Sequence, residues 1–118
     1  MKLEKTKETL STLRQIDLIV KRRRTGKPRS FPIWFAMEGD TIQVLPAFGA
    51  GTQWLKDIEV DDGVFIAFGD HRIQGIAESH YCREKVDEVK RRLEEKYGER
   101  VIARAGYTGL DAAVSIAL

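Results

Sequence analysis

Short alternating runs divided by turn residues constrain this chain more than any other feature of its sequence. Ile16, Leu18 and Val20 alternate with polar or mixed residues, and Thr25-Gly26-Lys27-Pro28 then reverses the chain. Ser30 to Met37 reads as a second strand, with Phe31, Ile33, Phe35 and Met37 on one face and Pro32, Trp34 and Ala36 on the other. Both faces are apolar, so one should pack a core and the other should meet a second surface. Pro32 cannot donate to a ladder and argues for an edge. Glu38-Gly39-Asp40 turns into a strand from Thr41 to Leu45, and Val64 to Gly69 pairs with His71 to Ser79 across Gly69-Asp70. Gly75 lies inside a strand and marks a bulge or a close approach. Val114, Ile116 and Leu118 form the last strand. Six strands joined mainly by hairpins predict a mainly β fold closed into a small antiparallel barrel, since closure protects edges that a flat sheet would expose.

Three helical patterns flank these strands. Leu3, Thr6, Leu10 and Leu13 recur at three- and four-residue spacing, giving a short surface helix over residues 3–14. After a flexible segment, Pro46-Ala47-Phe48-Gly49-Ala50-Gly51, Thr52 can cap a helix carrying Trp54, Leu55 and Ile58. From Tyr81 to Tyr97 the stripe Cys82, Val86, Val89, Leu93 and Tyr97 is the clearest helix, and Gly98 ends it.

With 118 residues, the chain has room for one domain spanning 1–118 and no second core. No stretch approaches the roughly 18 apolar residues of a membrane span, and the charged start Met1-Lys2-Leu3-Glu4 lacks a secretory apolar run. A single cysteine, Cys82, excludes an internal disulfide framework, so a cytoplasmic setting is expected. The charge is lopsided. Residues 1–30 carry ten Lys and Arg against three acids (+7), and the remainder carries ten against fifteen (−5). Such a field favours an anionic partner near the N-terminal third, or it is a solvated basic face balanced by an acidic helix.

Few side chains offer acid–base or metal chemistry. His71, His80 and Cys82 lack a zinc-finger spacing and a fourth ligand, so no metal site is expected. Cys82 falls on the apolar stripe and reads as a small buried hydrophobe. Asp61 and Asp62 read as turn formers, and no nucleotide-hydrolase phosphate loop is present. No catalytic residue can be assigned. The basic hairpin is more informative: Arg22, Arg23, Arg24, Lys27 and Arg29 put five cations within eight positions, followed by Phe31, Trp34 and Phe35, then Phe48 and Trp54. Guanidinium forks suit phosphate oxygens, and rings beside them suit a flat conjugated ligand or a stacked base. Core packing remains the default for Phe31, Phe35, Phe65 and Phe68 individually. In a regular strand Arg23 would point away from Arg24, making Arg24 and Arg29 the primary phosphate pair and Arg23 the secondary one.

The run Arg23-Arg24-Thr25-Gly26-Lys27-Pro28-Arg29-Ser30-Phe31-Pro32-Ile33-Trp34-Phe35 resembles the signature hairpin of the deazaflavin-dependent nitroreductases. That family lies within the pyridoxamine 5'-phosphate oxidase-like, FMN-binding split-barrel superfamily. Glu38-Gly39-Asp40, the Gly-rich loop, Trp54 to Ile58, Val64 to Phe68 and Gly75-Ile76-Ala77 follow in the family's order, covering about residues 16–80. The resemblance implies a six-stranded antiparallel split barrel, a homodimer with cofactor sites near the subunit interface, and hydride transfer between a deazaflavin (coenzyme F-420) or FMN and an acceptor such as a quinone or nitro compound. By the same carry-over, Arg23, Arg24 and Arg29 lie near the cofactor phosphate, Pro32 lines the cofactor cleft, and Trp54 starts the short helix. Trp34 or Trp54 would flank the ring. Two positions depart from the family: Pro46-Ala47-Phe48-Gly49 lacks its lysine, and Asp61-Asp62-Gly63-Val64 replaces its Asn-Pro-x-Val. They leave the choice between deazaflavin and FMN open. The alternatives are a cofactor-binding protein without turnover and a nucleic-acid-binding module. The near-balanced charge and the lack of a helix-turn-helix or zinc finger weigh against the latter.

Overall fold

The structure, a computed structural model, describes residues 3–47, 49–107 and 110–118, with side chains from Glu8 onward. The order is α1 (Leu3–Thr12), β1 (Ile16–Lys21), β2 (Pro28–Ile33), β3 (Ala36–Glu38), β4 (Thr41–Val44), α2 (Gln53–Val60), β5 (Gly63–Phe68), β6 (His71–His80), α3 (Arg83–Tyr97), α4 (Glu99–Arg104) and β7 (Ala113–Ala117). All strands pair antiparallel in one sheet of order β2-β1-β5-β6-β7-β4-β3.

That order has a geometric consequence. β2 and β3 stand at opposite edges, yet only Trp34 and Phe35 join them. Laid flat, seven strands about 4.8 Å apart would separate the edges by about 29 Å. The span from Ile33 to Ala36 covers about 10 Å at most. The sheet must therefore curl until its edges nearly meet. The fold is a mainly β split barrel, as expected, with seven strands in place of six. The expected strand from Ser30 to Met37 breaks at Trp34-Phe35, where the chain leaves β1 and crosses to β4.

Its side chains alternate through the break. Phe31, Ile33, Phe35 and Met37 pack on the barrel core with Leu18, Ile42, Ile66 and Ile116. Leu10 of α1 and Trp54, Leu55 and Ile58 of α2 join that core. On the other face Ala36 is buried beneath Val86, Val89, Leu93 and Tyr97 of α3 and Ile102 of α4, with Trp34 packed at the margin. For Trp34 and Ala36 the second surface expected is thus this chain's own α3, while Pro32 on the same face stays exposed. Pro32 does lie on an edge strand. Gly75 is a close approach and not a bulge: the β5–β6 register runs unbroken through it, and a Cβ there would sit 2.6 Å from Ile116 Cγ2.

Two further expectations are corrected. Cys82 is exposed at the N-cap of α3, not buried on its stripe, because the helix begins one residue later. Phe65 lies half-buried on the outer barrel wall, while Phe35 and Phe68 are core. The segment around the expected flexible loop contains a 3-10 turn, Gly49–Gly51, whose Ala50 N–H donates to Asp111 Oδ1 at 2.8 Å; Phe48 lies outside the described residues. Among the described residues, no helix is long and apolar enough to cross a membrane.

Candidate functional site

The basic hairpin is built by a strand that stops early. β1 pairs with β2 through Lys21 opposite Pro28, and residues 22–27 then form the loop. Arg22 N–H donates to the Lys27 carbonyl (2.9 Å), Gly26 N–H donates to the Arg22 carbonyl (2.8 Å), and Gly26 takes φ +73°. Glycine adopts that backbone without the Cβ clash that other residues meet. Because Arg22, Arg23 and Arg24 lie in this loop and not in a strand, the alternation expected to separate Arg23 from Arg24 does not apply. Arg22, Arg23, Arg24, Thr25 and Arg29 share one cleft of about 440 Å³ with Gln53 and Asp57 of α2.

Within that cleft the arginines divide into two sets. Arg23 Nη1 donates to Asp57 Oδ1 at 2.6 Å, its Nη2 donates to Gln53 Oε1 at 3.0 Å, and its backbone N–H also reaches Asp57 at 3.3 Å. The Asp57 side chain is 5% exposed and that of Arg23 22%, so this is a largely buried pair that latches the hairpin onto α2. Arg22, Arg24 and Arg29 are exposed, and among the described residues none has a carboxylate within 4.0 Å. Arg29 instead lies over Phe31, 5.5 Å from its centroid, and Phe31 leans on Trp54 at 5.6 Å. Trp54 is only 7% exposed, so it backs this arrangement and offers little open surface.

The structure does not bring the remaining two site residues into this cleft. Pro32 sits on the opposite face of β2 from Arg29 and Phe31, paired with Asp17. Trp34 stacks on Tyr97 under α3, centroids 4.8 Å apart and planes 13° apart. A second cleft of about 320 Å³ opens on the outer wall beside the hairpin, where Ile19, Pro28 and Phe65 meet Lys21 and Arg72. Arg72 lies 4.4 Å over the Phe65 ring, and Lys21 reaches Asp61 at 3.6 Å. Sequence reasoning missed Asp57, Phe65 and Arg72. Asp57 carries no local signal, since its partner is 34 positions away. Phe65 could have been found by parity, because its neighbours Val64 and Ile66 point inward.

No family model matches the chain, and no curated protein matches it. Solved structures do. A conserved hypothetical protein from Mycobacterium tuberculosis superposes with TM-score 0.78 at 17% identity, covering 100% of this chain and 80% of that one. An F420-H2 dependent reductase superposes with TM-score 0.66 at 14% identity, covering 87% and 93%. A Clostridium acetobutylicum protein of the pyridoxinephosphate oxidase family, related to general stress protein 26, superposes with TM-score 0.72 at 11% identity, covering 98% and 82%. The fold is therefore that of the pyridoxinephosphate-oxidase-like split barrels. It is the fold that the resemblance of the hairpin implies.

Proposed function

We propose that this chain binds a phosphate-bearing flavin or deazaflavin and acts as an oxidoreductase on a small organic acceptor or donor, such as a quinone or nitro compound. The observation that carries this reading is the set of uncompensated cations in the hairpin cleft. Arg22, Arg24 and Arg29 face solvent without a carboxylate partner among the described residues, while Arg23 is neutralised by Asp57. Guanidinium donors of this kind fit phosphate oxygens. The solved neighbours, one of them an F420-H2 dependent reductase, support a redox role for the fold.

When bound, the cofactor's ring supplies hydride transfer, and the protein contributes binding, orientation and electrostatics. Arg24 and Arg29 would hold the tail phosphate, with Arg22 beside them. Arg23 would act by fixing the loop from which they project. The apolar outer wall at Ile19, Pro28 and Phe65 offers a flat ring a surface beside Lys21 and Arg72, across the hairpin strand from Arg29. A second copy would complete the site by covering that wall, where Ile76 is 51% exposed. Light scattering should then give a dimer at micromolar concentration, and a monomer mass would remove the second copy from this reading.

The test is a pair of titrations, FMN against riboflavin and intact coenzyme F-420 against its tail-less ring system, with wild type and Arg29→Ala. A charge-assisted contact contributes about 1.5–3 kcal/mol, so Arg29→Ala should weaken the intact cofactor by roughly ten- to hundredfold and leave the tail-less ring unchanged. Equal affinity of both proteins for the intact forms would take Arg29 out of the site.

A further inference from the structure

A different part of the molecule carries chemistry that the proposed redox site does not use. Between α1, β3 and α3 lies a cavity of about 290 Å³ lined by Ser11, Ala36, Met37, Arg92, Glu95 and Lys96. The Lys96 amine is half-buried there, 3.5 Å over the Phe35 ring centroid and 5.3 Å from that of Tyr97. Among the described residues no carboxylate lies within 4.0 Å of it. Arg14 also lies against the Tyr97 ring, at 5.4 Å, and repels an ammonium at Lys96. In the same cavity wall, one helical turn back, Arg92 holds Glu38 and Glu88 with Nη2 while its Nε–H is buried without an acceptor. Lys96 and Arg92 are the two cations of this lining. Glu95 is the one carboxylate in the lining, and it is exposed.

We propose that Lys96 is a carbon dioxide capture site, its amine forming a carbamate that occupies this cavity. The neutral amine's lone pair attacks the carbon of CO2 and a C–N bond forms. One carbon–oxygen π pair moves onto oxygen, and the nitrogen releases a proton to water. No oxidant, reductant or leaving group is needed. Three features of the cavity favour the product. It converts the like-charged Lys96–Arg14 pair into an opposite-charged one. It places an anion beside Arg92, the other cation of the lining. It also relieves the burial of an ammonium. That burial, with Arg14, lowers the Lys96 pKa from 10.5 to about 8, which supplies neutral amine under mildly alkaline conditions. Against these stands the loss of the amine's contact with Phe35 as the side chain turns into the cavity.

The experiment uses the full chain incubated with 13C-bicarbonate at mildly alkaline pH, then trapped with a trialkyloxonium salt and mapped by peptide mass spectrometry. Lys96 should carry label at several-fold higher occupancy than the exposed Lys21, Lys27 and Lys56. Bicarbonate should also raise the melting temperature of the wild type and not that of Lys96→Arg, which keeps the cation but cannot form the carbamate. Labelling of Lys96 no greater than that of the exposed lysines would overturn the proposal. So would an equal thermal shift in Lys96→Arg, which would show bicarbonate held as an adventitious ion only. The labelling result stands by itself should Lys96→Arg fail to fold.

Discussion

Two connections in this barrel are pinned by side chains reaching from helices, and they are pinned in opposite ways. At the Trp34-Phe35 crossover, where the chain leaves one edge of the sheet for the other, the pin is a buried, uncharged hydroxyl. The Tyr97 hydroxyl accepts from Phe35 N–H at 3.1 Å and donates to the Arg14 carbonyl, and its ring stacks on Trp34. At the basic hairpin the pin is ionic: Asp57 of α2 holds Arg23 and leaves three other arginines unpaired among the described residues. A crossover that closes the barrel interrupts the ladder, so its backbone groups need internal partners. A loop that receives an anion needs its charges left over. The difference separates what holds this fold from what it presents.

The largest effects should come from breaking the buried pin. Tyr97→Ala removes a buried aromatic beneath α3 and should cost about 3–5 kcal/mol. Tyr97→Phe keeps the ring but strands Phe35 N–H and the Arg14 carbonyl, for about 1–3 kcal/mol. Urea midpoints measure both, and a Tyr97→Phe protein as stable as wild type would mean water replaces the hydroxyl. Arg23→Ala comes next. It leaves Asp57 buried without its cation, for which about 3 kcal/mol is the low end of the buried-pair range, suited to a pair whose arginine keeps some exposure. The double change Arg23→Met with Asp57→Leu should recover most of that loss, since apolar replacements of a buried pair are often neutral. If the double mutant is no better than Arg23→Ala, the latch has been misread. Arg29→Ala should stay within about 0.5 kcal/mol of wild type in stability while losing cofactor affinity, which is the contrast between the two kinds of arginine in one measurement.

How much of this was legible beforehand follows the same division. Strand alternation and hairpin turns were readable because side-chain parity and turn chemistry are local. The crossover was not, because parity runs unbroken through Trp34 and Phe35: Phe31 to Met37 keep one face while the hydrogen-bonding partner changes from β1 to β4. A side-chain period records which face is buried, not which strand lies alongside. α4 went unread because six residues with one buried side chain, Ile102, leave no stripe. At the site, clustering of arginines was plain in the sequence. Their division into one latched and three without a carboxylate partner among the described residues depends on Asp57, which looks like any helical acid until α2 is placed against the hairpin.

A smaller effect tests the cation above the crossover. Lys96 has its pKa lowered from 10.5 to about 8, mainly by burial and then by Arg14. Between those values the unfolded chain holds a proton that the folded chain lacks, so stability should rise with pH across that window. Tyr97 and Tyr107, whose pKa values burial raises, act with the opposite sign once pH exceeds about 10. The rise should therefore appear from about 8 to 10. In buffers freed of CO2, Lys96→Met should flatten it, and an unchanged pH profile would assign the rise elsewhere.

The smallest expected effect is at Cys82, where the comparison between buried and presented groups is sharpest. Four-residue spacing to Val86 places it on the buried stripe by arithmetic, but the helix starts at Arg83 and residue 82 is the cap. An N-cap residue has extended backbone, here φ −75° and ψ 136°, so its side chain leaves the helical face that the spacing assumes. The thiol is exposed as a result. Cys82→Ala therefore removes no core volume and should change stability by less than about 0.5 kcal/mol, whereas a cysteine packed beneath α3 would leave a cavity and cost more. Cys82→Ser should do slightly better than Ala, since serine is a favoured N-cap residue. The native thiol should react with a disulfide reagent at the rate of an open site, without unfolding. Protection of that thiol until the protein unfolds would return Cys82 to the stripe and move the start of α3 back by a residue.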